Sequence, residues 1–114
     1  MDVEEYMILV NSRDVLDYTT LNVTLFEVTA RKKDELGKEI QRVLKNNRIE
    51  KPIVMSAPDE FITDYYKVDI GSDIIRKIIL VLRGLETSYL GIKGETTPTA
   101  VFYATLVDKW NKVM

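Results

Sequence analysis

The chain has 114 residues, 46% hydrophobic and 30% charged, with a formal net charge of −2. That balance excludes a disordered chain, and the length suits one domain, taken as residues 1–114. Cysteine and histidine are both absent, which removes disulfides, thiolate nucleophiles, imidazole bases and nearly every zinc or copper site.

Tyr6 to Val10 is a short apolar run that predicts a strand, and Asn11 and Ser12 can cap a short helical segment over Asp14–Tyr18. From Asn22 to Thr29 the chain is dense in β-branched residues and alternates Val23 and Leu25 against Thr24, Phe26 and Val28. This predicts a second strand with Phe26 and Val28 facing the core. Lys33–Asn46 places Leu36, Ile40, Val43 and Leu44 at the spacing of an amphipathic helix, with Asn46 and Asn47 as terminators. Pro52–Ala57 reads as a strand opened by a proline, and Pro58, Asp59 and Glu60 as the turn after it.

The C-terminal half predicts a strand over Tyr65–Ile70, a helix over Ser72–Leu85, a short strand over Ser88–Gly94 and a helix over Thr97–Met114. The apolar breadth of Ile74–Leu85 also suits a buried strand, but Arg76 and Lys77 interrupt it at helical spacing. Ser72 or Asp73 can cap this helix, and Gly84 stands where a helix stops. In the last helix Thr97 is the cap and Pro98 the first helical residue, with Ala100, Ala104, Val107, Trp110 and Met114 as one apolar stripe. Together these elements predict an α/β (α+β) two-layer domain, a mixed sheet of four or five strands with three main helices. The apolar breadth of the last two helices exceeds what one sheet face covers, which predicts a homodimer through apolar helix faces.

No apolar run approaches the roughly 20 residues that span a bilayer, and the acidic start, Met1–Glu5, is unlike the basic start of a signal peptide. A cytoplasmic protein without membrane partners is expected. The single glutamine, Gln41, with abundant Ile, Val, Lys and Glu, matches a thermophilic composition.

Charge is concentrated between Arg31 and Lys51, which hold eight basic and four acidic residues. At about 100° per residue, Arg31, Lys38, Arg42 and Lys45 fall on one ridge opposite Leu36, Ile40, Val43 and Leu44. Such a ridge suits a phosphate backbone, and a solvated helix face with Asp34 paired to Lys38 is the alternative. A second candidate is the turn Gly91–Pro98, where backbone amides at a helix start, with Lys93, Gly94, Thr96 and Thr97, can hold an anion. The carboxylates Asp59, Glu60, Asp64, Asp69 and Asp73 with Lys67 invite a magnesium-nuclease reading, although their spacing departs from the usual nuclease pattern. Tyr65 and Tyr66 are adjacent on a strand, so one of them points outward, where it can stack on a base.

Val68-Asp69-Ile70-Gly71, then a helix, then Tyr89-Leu90-Gly91-Ile92-Lys93-Gly94, then a helix entered through Ala100, resembles the Alba family over Tyr65–Met114. Alba proteins are small archaeal dimers that bind DNA and RNA. The resemblance implies a β-α-β-α unit, a dimer and a nucleic-acid partner. The function expected is therefore non-enzymatic nucleic-acid binding, DNA or RNA, through Arg31, Lys38, Arg42, Lys45 and Lys93, without cofactor or metal. A protein-interaction or assembly module of an archaeal or viral system is the alternative, and a metal-dependent nuclease or phosphate-handling enzyme the third reading.

Overall fold

Asp2 opens the first helix. Its carboxylate accepts a hydrogen bond from the Glu5 backbone N–H at 2.8 Å, and Glu4 and Glu5 sit in the first turn, where the helix dipole favours negative charge. Helix α1 runs Val3–Val10. The apolar run that predicts a strand is thus helical, because the cap and acidic turn act on residues that a run of Met, Ile, Leu and Val leaves undecided. The computed structural model describes residues 2–52 and 62–114. The expected strand Pro52–Ala57 and its turn lie almost wholly outside the described residues.

Strand β1, Val15–Asp17, replaces the short helical segment, and its last residue becomes the cap of helix α2, Tyr18–Ala30. Asp17 accepts from the Thr20 N–H at 3.2 Å and from the Thr20 hydroxyl at 2.6 Å. This cap overrides the strand expected at Asn22–Thr29, since a weak β preference of Thr and Val yields to a capped helix with a packed face. That face is Thr20, Leu21, Thr24 and Val28, at helical spacing. Val28 is fully buried as expected, whereas Phe26, placed on the same face by the strand reading, is 69% exposed.

Helix α2 ends in a Schellman motif, with Lys33 N–H donating to Val28 C=O at 2.9 Å and Lys32 N–H to Thr29 C=O at 3.0 Å. The left-handed residue of the motif is Lys32, at φ 57°, where glycine is the usual occupant. Helix α3, Asp34–Asn46, then begins, with Asn47 as its C-cap. Strand β2, Tyr65–Lys67, runs antiparallel to β1 with Leu16 opposite Tyr66, and residues 47–49 bond along its other edge through Lys67 N–H to Asn47 C=O and Ile49 N–H to Tyr65 C=O. The expected strand to Ile70 is therefore shortened, Val68 making only a bond to Asp14 C=O at 2.7 Å.

Helix α4 spans Ser72–Ser88 and helix α5 Pro98–Val113. Gly71, rather than Ser72 or Asp73, is the N-cap of α4, and Gly84 lies within the helix instead of ending it. The strand expected at Ser88–Gly94 is not formed. Ser88 ends α4, Tyr89 caps it, and a turn with Gly94 at φ 77° leads to α5. The β-α-β-α order over Tyr65–Met114 is accordingly strand, helix, turn, helix.

The two-layer α/β architecture with a four- or five-stranded mixed sheet is thus overturned. Among the described residues there are five helices and one two-stranded antiparallel sheet. Helices α4 and α5 form a hairpin and cover one another. Ile75, Ile78 and Leu82 of one and Leu106, Val107 and Trp110 of the other are buried in the main core, where they meet Leu21 and Val28 of α2 and Ile40 and Val43 of α3. Each fully buried side chain of this kind contributes about 1.5–3 kcal/mol. The apolar breadth from which a dimer was expected is largely satisfied within the chain. A second, smaller cluster joins Tyr6 and Val10 of α1 to Val15 and Ile49. Among the described residues no helix is long and apolar enough to cross a membrane.

Candidate nucleic-acid interface

Helix α3 is the most strongly two-faced element, with Leu36, Ile40 and Val43 buried and Lys38 and Lys45 exposed on the opposite side. Lys45 lies in the last turn, where the carbonyl end of the helix favours a cation. Among the described residues neither lysine makes an ion pair, and the Asp34–Lys38 pair is not formed. They lie seven residues apart, roughly 10 Å along the axis at 1.5 Å per residue.

The two arginines of the ridge are differently placed. Arg31 is the C-cap of α2, and the left-handed turn at Lys32 breaks the helical phase that aligns it with Lys38. Its guanidinium donates to the Glu27 carboxylate at 2.8 Å and to the Glu27 carbonyl at 3.0 Å. Arg42 does lie on α3 with Lys38 and Lys45, but it donates to Glu39 at 2.9 Å and to Asp69 at 2.9 Å. Asn47 also donates to Asp69, at 2.9 Å, so the acid ties the end of α3 to the chain after β2. Burial alone would raise the Asp69 pKa, yet the bond and charge of Arg42, with Asn47, hold it below the usual carboxylate range. The hydrogen bonds that Arg42 donates to Glu39 and Asp69 raise its own pKa. Nothing in the local sequence signals this clamp, because Asp69 is 27 positions from Arg42.

The turn between α4 and α5 holds the remaining candidates. Lys93 is exposed, and its backbone N–H donates to the Glu95 carboxylate at 2.8 Å. Gly94 N–H bonds Gly91 C=O at 2.8 Å, and a Cβ on Gly91 would collide with the Glu95 side chain. The Thr97 hydroxyl accepts from Ala100 N–H at 3.1 Å and donates to Tyr89 C=O at 2.5 Å, while Thr96 is exposed. The chain's own carboxylate therefore occupies the amide nearest Lys93. Thr97 serves as the helix cap that its position before Pro98 predicts.

The acids of the nuclease reading disperse. Asp64 pairs with Lys51 at 2.8 Å, Asp69 with Arg42, and Lys67 reaches Asp14 at 3.8 Å, while Asp59 and Glu60 lie outside the described residues. Among the described residues no three acidic side chains converge as metal ligands. Of the adjacent tyrosines, Tyr66 is buried and Tyr65 partly covered, with Tyr18 6.4 Å from the Tyr66 ring. No protein-family model, curated protein or solved structure matches this chain at a significant level.

Proposed function

We propose that this protein is a non-enzymatic nucleic-acid-binding module that lays α3 along a DNA or RNA backbone. The observation that carries the reading is the pair Lys38 and Lys45, exposed on one face of α3 without a carboxylate partner among the described residues. Two such lysines release counterions from a phosphate backbone without first breaking an ion pair of their own. Arg42 lies between them as a guanidinium held by Glu39 and Asp69, Lys93 adds charge outside α3, and Arg31 stands there paired with Glu27. A Lys38→Ala, Lys45→Ala variant should lower the slope of log affinity against log salt by about two. An Arg31→Ala variant should change it less, because Glu27 already neutralises that charge. Unchanged binding in a Lys38, Arg42, Lys45 triple alanine variant removes these residues from the site.

A second reading, a protein-interaction or assembly module, is favoured by the aromatic cluster beside the α4–α5 turn. Tyr89 stacks on Tyr103 at 5.6 Å and Phe102 meets Tyr103 edge-on at 5.4 Å, with Tyr89 and Phe102 exposed. Its sign is complexes that survive high salt, which backbone-phosphate binding does not.

A further inference from the structure

Outside α3, two exposed aliphatic side chains carry flanking charges of opposite sign. Leu80, on the outer face of α4, is 69% exposed, and Arg76, Lys77 and Arg83 stand four and three positions before it and three after it. Leu80 joins two concavities. One, of about 580 Å³, lies against the start of α3 and is lined by Lys32, Lys33, Asp34, Glu35, Leu36 and Val81 as well as Lys77, so its bases outnumber its acids. The other, of about 300 Å³, is completed by Ile79, Asn111 and Met114. Among the described residues Arg76 and Arg83 make no ion pair, and Lys77 pairs with Glu35 at 3.5 Å.

Ile8, on α1, is 67% exposed, and Glu4 and Glu5 stand four and three positions before it. Neither glutamate side chain makes an ion pair among the described residues, and Glu5, Ile8, Leu9 and Ser12 border a shallow concavity of about 340 Å³. Helix α1 rests on Val15 and Ile49 through Tyr6 and Val10, apart from the main core, so its acidic face is presented outward.

We propose that α1 of one copy of this chain docks on the Leu80 face of α4 in a second copy, with Ile8 against Leu80 and Glu4 and Glu5 facing Arg76, Lys77 and Arg83. When the two helices cross steeply at the aliphatic residues, Glu4 and Glu5, one turn before Ile8, reach Arg76 and Lys77 on one side of Leu80 and Arg83 on the other. A phosphate backbone fits this face less well. Leu36, Ile79, Leu80 and Val81 give it an apolar floor that phosphates cannot use, and no described lining residue offers an aromatic ring for a base. An eight-residue helix covers less than the roughly 800 Å² per partner of a standard interface, so the association is weak and concentration-dependent. The contact joins different surfaces of the two copies, so a reciprocated contact closes a pair and an unreciprocated one extends into a ring or fibre.

The test is analytical ultracentrifugation of the full chain over a concentration series reaching about 1 mM, where contacts of this weak class are populated, at low and high salt. Wild type should self-associate, more weakly at high salt. The variants Glu4→Arg, Glu5→Arg and Arg76→Glu, Arg83→Glu should each weaken association by about 100-fold or more, since each sets like charges face to face. An equimolar mixture of the two should associate again, because each supplies the charge the other lacks, and this rescue excludes misfolding as the cause. Ile8→Ser and Leu80→Ser, both at exposed positions, should weaken association while leaving the far-UV circular dichroism melt unchanged. A monomeric wild type at the highest concentration overturns the proposal. So does association that ignores both charge reversals, or a mixture that fails to recover. Loss of nucleic-acid binding in Arg76→Glu, Arg83→Glu with a monomeric wild type would assign the face to nucleic acid instead. None of the substituted residues lies on α3 or among Lys38, Arg42 and Lys45, so this test and that of the α3 ridge fail independently.

Discussion

Replacing Thr24 by valine removes one oxygen from the interior and opens no cavity. Thr24 and Trp110 are both fully buried, and the indole N–H donates to the threonine Oγ1 at 3.0 Å. The threonine hydroxyl donates in turn to Thr20 C=O at 2.7 Å, one helical turn back. In the valine variant that carbonyl keeps its helical N–H partner, so losing the hydroxyl there costs little. The Trp110 N–H, by contrast, is left without an acceptor and without water, a penalty of about 1–3 kcal/mol. Trp110→Phe removes the donor as well, at the cost of lost packing volume. In the double variant no orphan donor remains, so its loss should be smaller than the sum of the single losses by about 1–2 kcal/mol. Urea denaturation of the four proteins measures this coupling directly. Additivity within about 0.5 kcal/mol would refute the reasoning and show that the buried bond does not join α2 to α5 in solution.

The helical assignment of α2 predicts that Phe26→Ala changes stability by less than about 0.5 kcal/mol, whereas Val28→Ala, at a fully buried site, costs about 2 kcal/mol. Equal losses in urea denaturation would restore the strand reading, in which both residues share a face. Burial alone would raise the pKa of Asp17, but hydrogen bonds from Thr20 and Lys109 and the Lys109 charge hold it below the usual carboxylate range. A depressed carboxylate pKa stabilises the fold above the unfolded value of about 3.9 and ceases to do so as pH falls through the folded value. Asp17→Asn should therefore flatten the acid limb of a stability-against-pH curve, and an identical limb in the variant would remove Asp17 as its source.

Of the five helices among the described residues three were legible from residue pattern, and the reasons differ. For α3 the apolar spacing of Leu36, Ile40 and Val43 sufficed, and for α5 the Thr97 cap followed by Pro98 marked the first turn to the residue. For α4 the basic interruptions at Arg76 and Lys77 decided between two periods, although the wide apolar surface hid the outward-facing Leu80. Helices α1 and α2 were masked by composition, β-branched and aliphatic residues outweighing single capping acids at Asp2 and Asp17. Those caps were visible in the sequence, Asp2 standing three residues before Glu5 in the spacing of a capping box. Of the candidate ridge, the shared face of Lys38, Arg42 and Lys45 followed from helical phase alone. What neutralises Arg42 did not, since the Asp69 contact depends on where the chain returns after β2. Nor did the break at Lys32, which takes Arg31 out of phase, because a left-handed lysine leaves no mark in composition.

The α3 ridge is tested most directly by titrating labelled single- and double-stranded DNA and RNA with the full chain across a range of salt. The account predicts saturable binding at low salt that weakens steeply as salt rises, with a shallower slope once Lys38 and Lys45 are replaced by alanine. Absence of binding at low salt, where attraction to phosphates is strongest, would contradict it.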